Sequence, residues 1–296
     1  MNYVIAGGAG NISKPITLQL LKKGHSVSVI GRNATHLKEL VDAGAKALIG
    51  SVEDVNFLKT AFNGAGAVYT MVPPNMNVTD WKAYIERVGN NYAAAIKSNG
   101  VKYVVNLSSI GAHLAEGAGP VSGLHRVENS FNDLKDVNIK HLRPGYFYPN
   151  LLSNIGLIKN LNIVGGNNGD ASDKIVLVDP SDIAAVAAEH LDRLDFSGHT
   201  VSYIAGEVVS NGEVAKVLGE AVGKPDLPWV EFSDDQSLQG MLGAGLSEEI
   251  AKNYTEMGAS FRAGKMTEDF WKHQPESLGK VKLKDFAKVF ADIYNN

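Results

Sequence analysis

The chain has 296 residues, 28 Lys and Arg against 32 Asp and Glu, and no cysteine. With 44% hydrophobic and 20% charged residues it has the make-up of a folded protein with a sizeable core. A net charge of −4 argues against a nucleic-acid binder that works by broad phosphate neutralisation, and the lack of cysteine excludes disulfides, thiolate catalysis and Cys-ligated metal sites.

Residues 3–6 are a short apolar run without the basic flank of a signal peptide, so they read as a first strand, and a cytoplasmic protein is expected. No run reaches the ~18–20 apolar residues of a membrane span. Residues 12–23 have helical spacing and stop at Gly24. Strands are then predicted at 26–30, 45–49, 67–71, 101–107 and 139–142. Between them, helices are predicted at 36–41, 55–62, 79–98 and 124–134, the third capped by Thr79 or Asp80. This strict alternation predicts an α/β fold, a doubly wound parallel sheet of the Rossmann type. After Arg143-Pro144-Gly145 the pattern loosens. Strands are predicted at 175–178 and 200–204, helices at 181–191 and 211–222, and mostly helix over 234–296. Residues 1–150 therefore read as the nucleotide-binding domain. Residues 151–296 read as a smaller, mostly helical substrate-side cap, interleaved with the first part and not folding by itself.

Gly7-Gly8-Ala9-Gly10-Asn11-Ile12-Ser13 lies between the first strand and the first helix. Gly7 lets the chain turn sharply, and Gly10 lets backbone approach a diphosphate. The amides of Asn11 and Ile12 open the helix, where its partial positive charge favours an anion. Ser13 stands where the usual pattern has a third glycine. An ordinary ligand-free glycine turn is the alternative, but strand, turn and helix in this order favour a dinucleotide.

A carboxylate near the end of the second strand normally binds the ribose of NAD. Here Gly31-Arg32-Asn33 takes its place, and Arg32 offers a guanidinium fork to a 2′-phosphate. NADP(H) is therefore expected over NAD(H), the alternative being a solvated Arg32. Topology places Ser51 near the adenine and Met71, Val72 and Pro73 beside the nicotinamide.

Taken with Val72-Pro73-Pro74, Asn106-Leu107-Ser108-Ser109-Ile110-Gly111, Leu142-Arg143-Pro144-Gly145-Tyr146 and Val178-Asp179-Pro180-Ser181-Asp182, these segments resemble the NmrA-like branch of the atypical short-chain dehydrogenase/reductases. The resemblance spans most of residues 1–205. It implies an NAD(P)-binding Rossmann domain, with Ser108 and Pro144 also bordering the cofactor. It also implies either a reductase of quinones and similar compounds or a dinucleotide-binding redox sensor that acts through a protein partner.

Typical short-chain dehydrogenases carry a Tyr and, four residues later, a Lys. Anchored on Glu128, those positions fall at Pro120 and Leu124, and residues 100–150 hold no Tyr-x-x-x-Lys. Candidate catalytic residues are then few: Ser109 beside Ser108, His125 as a proton donor, and Tyr146 with Phe147 and Tyr148 as an aromatic lining. Capping, a solvated helix face and core packing are their respective alternatives. The eight histidines show no metal-ligand spacing, so no metal is expected. Asp234-Asp235 and Glu248-Glu249 read as helix-start charges. The leading expectation is hydride transfer from NADPH to a quinone or similar small conjugated acceptor. The rival is a non-catalytic sensor, and an isomerase or epimerase is a third option. No nucleic-acid or membrane partner is expected.

Overall fold

The computed structural model describes residues 1–296. Its first half runs β1 (Asn2–Ile5), α1 (Ser13–Lys22), β2 (Ser26–Gly31), α2 (Ala34–Asp42), β3 (Lys46–Ile49), α3 (Val55–Ala61), β4 (Ala67–Thr70), α4 (Trp81–Asn99), β5 (Tyr103–Leu107), α5 (Pro120–Asn132) and β6 (Asn138–Pro144). Local chemistry sets the helix limits. Asp54 accepts from the amides of Asn56 and Phe57 to start α3, and Asp80 accepts from Ala83 to start α4. Gly100, in the left-handed region at φ +61°, ends α4. The helix expected from residue 124 begins earlier, because Pro120 occupies the first turn after Gly119, whose φ of +56° and ψ of −133° suit glycine alone.

The second half adds β7 (Tyr146–Phe147), a 3-10 turn (Tyr148–Asn154), α6 (Ile155–Leu161), β8 (Val164–Gly166), β9 (Lys174–Val178) and α7 (Pro180–Arg193). It continues with β10 (His199–Ile204), β11 (Glu207–Ser210), α8 (Asn211–Ala221), β12 (Trp229–Glu231), α9 (Asp234–Gly243), α10 (Glu248–Arg262), α11 (Glu268–Lys272) and α12 (Leu283–Asn295). The sequence pattern does not signal β7, β8, β11 or β12. They are two to four residues long, too short for periodicity to register.

Seven parallel strands form the main sheet in the order β10-β6-β5-β4-β1-β2-β3. The direction of winding reverses between β1 and β4, which opens a crevice at their carboxyl ends. Both faces are covered. Tyr3 and Ile5 point to the α1 and α7 side with Ile16, Leu20, Ala184 and Leu191, while Val4 points to the α4 and α5 side with Ile85, Val88 and Phe131. A third cluster, around Tyr148, Leu177, Val214 and Phe286, builds the C-terminal lobe on the β11-β9-β7 sheet. Residues beyond 150 thus supply the seventh strand and α7 to the main layer as well as the cap.

Candidate functional site

The turn after β1 uses two left-handed glycines, Gly7 at φ +98° and Gly8 at φ +58°. The Ser13 hydroxyl donates to the Ala6 carbonyl at 2.7 Å, tying the strand end to the first turn of α1. A Cβ on Gly7 would run into that hydroxyl and into the Met71 side chain. Ala9, Gly10 and Asn11 are exposed, while Ile12 and Ser13 are buried. The amides of Asn11, Ile12 and Ser13 find no acceptor within the protein, whereas Gly10 and Lys14 donate to Gly7 and Gly10 carbonyls. Three unclaimed donors at a helix N-terminus fit the diphosphate of a dinucleotide.

The neighbouring loop ends are held stiffly. From α4, the Tyr92 hydroxyl donates to the Met71 carbonyl and the Tyr84 hydroxyl to the Pro73 carbonyl, each at 3.0 Å. Burial raises the pKa of both phenols, so they remain donors. Met71, Val72 and Pro73 therefore form a fixed rim opposite Gly7. After β3, Ser51 accepts from the Glu53 amide at 3.2 Å. Gly31 lies under Leu37, 3.1 Å from where a Cβ would stand, so a carboxylate there would need that leucine to move. Asn33 spends its side chain capping α2 through Thr35. Arg32 is exposed and makes no ion pair. Glu39 pairs instead with Lys14 at 2.6 Å and Glu53 with Arg87 at 3.3 Å.

Ser108 is turned into the protein. Its amide donates to Leu142, its hydroxyl donates to Glu128 at 2.5 Å, and it is 4% exposed. Glu128 is gripped by Arg143 through Nε at 3.0 Å and Nη2 at 2.6 Å. Arg143 also reaches Tyr203 and Asp269 at 3.1 Å each, which links the sheet to α11. Pro144 follows in β6, its carbonyl accepting from the Ile110 amide. The Ser109 hydroxyl donates to the Ile110 carbonyl. His125 has both ring nitrogens engaged, Nδ1 with the Ala112 carbonyl and Nε2 with Asn129, each at 2.9 Å. Tyr148 is fully buried and stacked on Phe286 in the C-terminal lobe, which removes it from the expected lining. Tyr146 is only partly buried, with its ring edge-on to Phe261 at 6.3 Å.

Beside the rim lies an apolar slot of about 160 Å3, walled by Val72, Pro73, Pro74, Trp81, Ile85, Pro120, Val121 and Leu124. Pro120 and Leu124, the two positions matched to Tyr and Lys, are part of this wall. One side is closed by α10, which the sequence pattern does not single out. Glu249 accepts from the Trp81 amide at 2.8 Å, and Lys82 pairs with Glu256 at 2.8 Å. Gly119 leaves room for the Asn253 carbonyl. The Tyr254 ring stands edge-on to Trp81 at 5.2 Å. Glu249 is therefore more than a helix-start charge, and Asp234, at the start of α9, pairs with Arg262 through both carboxylate oxygens. No group of three or more His, Asp or Glu residues is arranged to hold a metal. No helix is long and apolar enough to cross a membrane.

Three comparisons place this architecture among known proteins. The chain is 25% identical over 258 residues to an NAD(P)H azoreductase from Xenophilus azovorans, covering 86% of each chain. An NADPH-dependent quinone oxidoreductase of Escherichia coli, solved with NADPH, superposes with a TM-score of 0.83 at 19% identity, covering 97% of this chain and 99% of that one. The triphenylmethane reductase of Citrobacter sp., solved with NADP(H), gives a TM-score of 0.79 at 19% identity, covering 98% of this chain and 100% of that one. The model of the NmrA-like family matches residues 2–264, and with the Rossmann sheet and the glycine turn in place, the chain belongs to the NmrA-like family.

Proposed function

We propose that the protein is an NAD(P)H-dependent reductase that uses NADPH in preference to NADH and reduces a quinone or similar small, planar, conjugated acceptor. The observation that carries this reading is the apolar slot beside the Met71–Pro73 rim, where Pro120 and Leu124 replace an acid–base pair with hydrocarbon. Such a wall does little for alcohol or ketone chemistry, which needs a proton relay at the reacting oxygen. It suits an acceptor whose conjugation eases hydride addition, so that binding and orientation supply most of the rate.

The reduced nicotinamide supplies the hydride. The amides of Asn11, Ile12 and Ser13 hold the diphosphate, Arg32 grips the 2′-phosphate, and the rim fixed by Tyr84 and Tyr92 orients the ring face. Trp81, Ile85, Val121 and Leu124 exclude water from the acceptor's seat. The names of the relatives agree in class: an azoreductase, a quinone oxidoreductase and a triphenylmethane reductase all reduce conjugated compounds. The test is NADPH oxidation by the purified protein against a panel of quinones, azo dyes and simple ketones. Turnover with the conjugated compounds and none with the ketones is expected. Tight NADPH binding without turnover on any acceptor overturns the reading.

A further inference from the structure

Addition of hydride to a conjugated carbonyl compound places an electron pair on oxygen, and of the slot walls described above only Trp81, through its indole N–H, offers that oxygen a side-chain donor. Two donors stand nearby on elements that meet over the cleft. Tyr146 follows Pro144-Gly145 at the carboxyl end of β6 and packs edge-on to Phe261 of α10. Tyr254, seven residues before Phe261, lies on the same face of α10, since seven residues at 3.6 per turn differ by only about 20°. Its ring meets Trp81, a wall of the slot, at 5.2 Å. One helix face thus carries Tyr254 above the slot and the partner ring of Tyr146.

The hydroxyls of Tyr3, Tyr84, Tyr92, Tyr148 and Tyr203 are each spent on a protein acceptor. Those of Tyr146 and Tyr254 make no hydrogen bond to the protein, and unlike the sealed Tyr69 hydroxyl they are not closed off from solvent. Burial raises the pKa of both phenols, so both stay protonated and remain donors.

We propose that Tyr146 and Tyr254 are a pair of hydrogen-bond donors that bind the acceptor's oxygen, taking over the electrostatic part of the missing Tyr and Lys. The proposal rests on the reductase reading. In the step it describes, the carbon–hydrogen bond of the reduced cofactor breaks and a bond from that hydrogen to the acceptor forms. The acceptor's π electrons shift to place a pair on its oxygen. The two phenol O–H groups hold that oxyanion without giving up their protons, and a proton from water completes the reduction.

The test compares the full chain with Tyr146→Phe, Tyr254→Phe and the double variant, substitutions that keep the ring packing and remove only the donors. Each single variant is expected to lower kcat with a quinone about tenfold, the double about a hundredfold, with the Kd for NADPH unchanged. A second readout needs no turnover: the Kd of the NADP+-loaded protein for an anionic hydroxynaphthoquinone, followed by the absorbance of the ligand, is expected to weaken about tenfold in Tyr254→Phe. Wild-type kcat and wild-type Kd in Tyr254→Phe overturn the proposal. Failure of the wild type to oxidise NADPH with any acceptor defeats the reductase reading instead, and an unchanged hydroxynaphthoquinone Kd in both single variants then defeats the phenol pair as well.

Discussion

The Ser13 hydroxyl donates to the Ala6 carbonyl at 2.7 Å, under Gly7, so the residue that replaces the third glycine braces the turn that the first glycine makes. Gly7→Ala meets two obstacles at once: a φ of +98° and a Cβ aimed at the Ser13 hydroxyl. We expect a loss of about 2 kcal/mol or more of stability and no measurable NADPH binding, read by denaturant titration and by cofactor fluorescence. The double variant Gly7→Ala/Ser13→Gly relieves the contact with Ser13 but neither the one with Met71 nor the dihedral, and should recover only part of the stability.

Arg32 is an unpaired guanidinium at the end of β2. Arg32→Ala is expected to weaken NADPH by about 1.5–3 kcal/mol and to leave NADH nearly unchanged, the behaviour of one charge-assisted bond to a phosphate. Fluorescence titration with both nucleotides checks this. Equal losses for the two would assign Arg32 to the solvated surface.

The Glu128–Arg143 pair has side chains only 5% and 9% exposed. Glu128→Leu removes the carboxylate that holds this buried guanidinium at Nε and Nη2, leaving it only Asp269, and removes the acceptor of the Ser108 hydroxyl. A cost of about 3–5 kcal/mol is expected in urea unfolding. Lys38→Ala, which breaks the exposed pair with Asp42, should change stability by no more than about 0.5 kcal/mol.

His141 is buried between Asn106 and Asn132, and burial, only partly opposed by the charge of Glu128, lowers its pKa to about 4. The unfolded chain binds this proton near pH 6.5 and the folded chain does not. Stability therefore falls as pH drops from about 6.5 to about 4, by up to about 3 kcal/mol from this group, and the contribution is flat below that window. His141→Gln should flatten the difference between unfolding curves taken at pH 7 and pH 4.5.

The main sheet was legible because strands buried on both faces read as apolar runs, and because Gly, Asp and Pro punctuate the helices between them. The glycine turn after β1 was legible for a similar reason: its residues are contiguous. The cleft was not. Tyr254 and Phe261 look like any amphipathic helix, and only the fold brings them to Trp81 and Tyr146, more than a hundred residues earlier. Ser108 and His125 show the converse limit. Their side chains are reactive types, but Glu128 in one case and Ala112 and Asn129 in the other had already claimed them.

The outermost strand of the main sheet, β10, is supplied by residues His199–Ile204, some sixty positions after its neighbour β6. During synthesis on a ribosome, β6 must emerge and wait with bare amide and carbonyl groups while the lobe carrying β7, β8 and β9 is made. A fragment that stops near residue 150 would keep that flank open, a template for pairing with other copies, so cutting the gene there should yield insoluble material and not a free-standing nucleotide module.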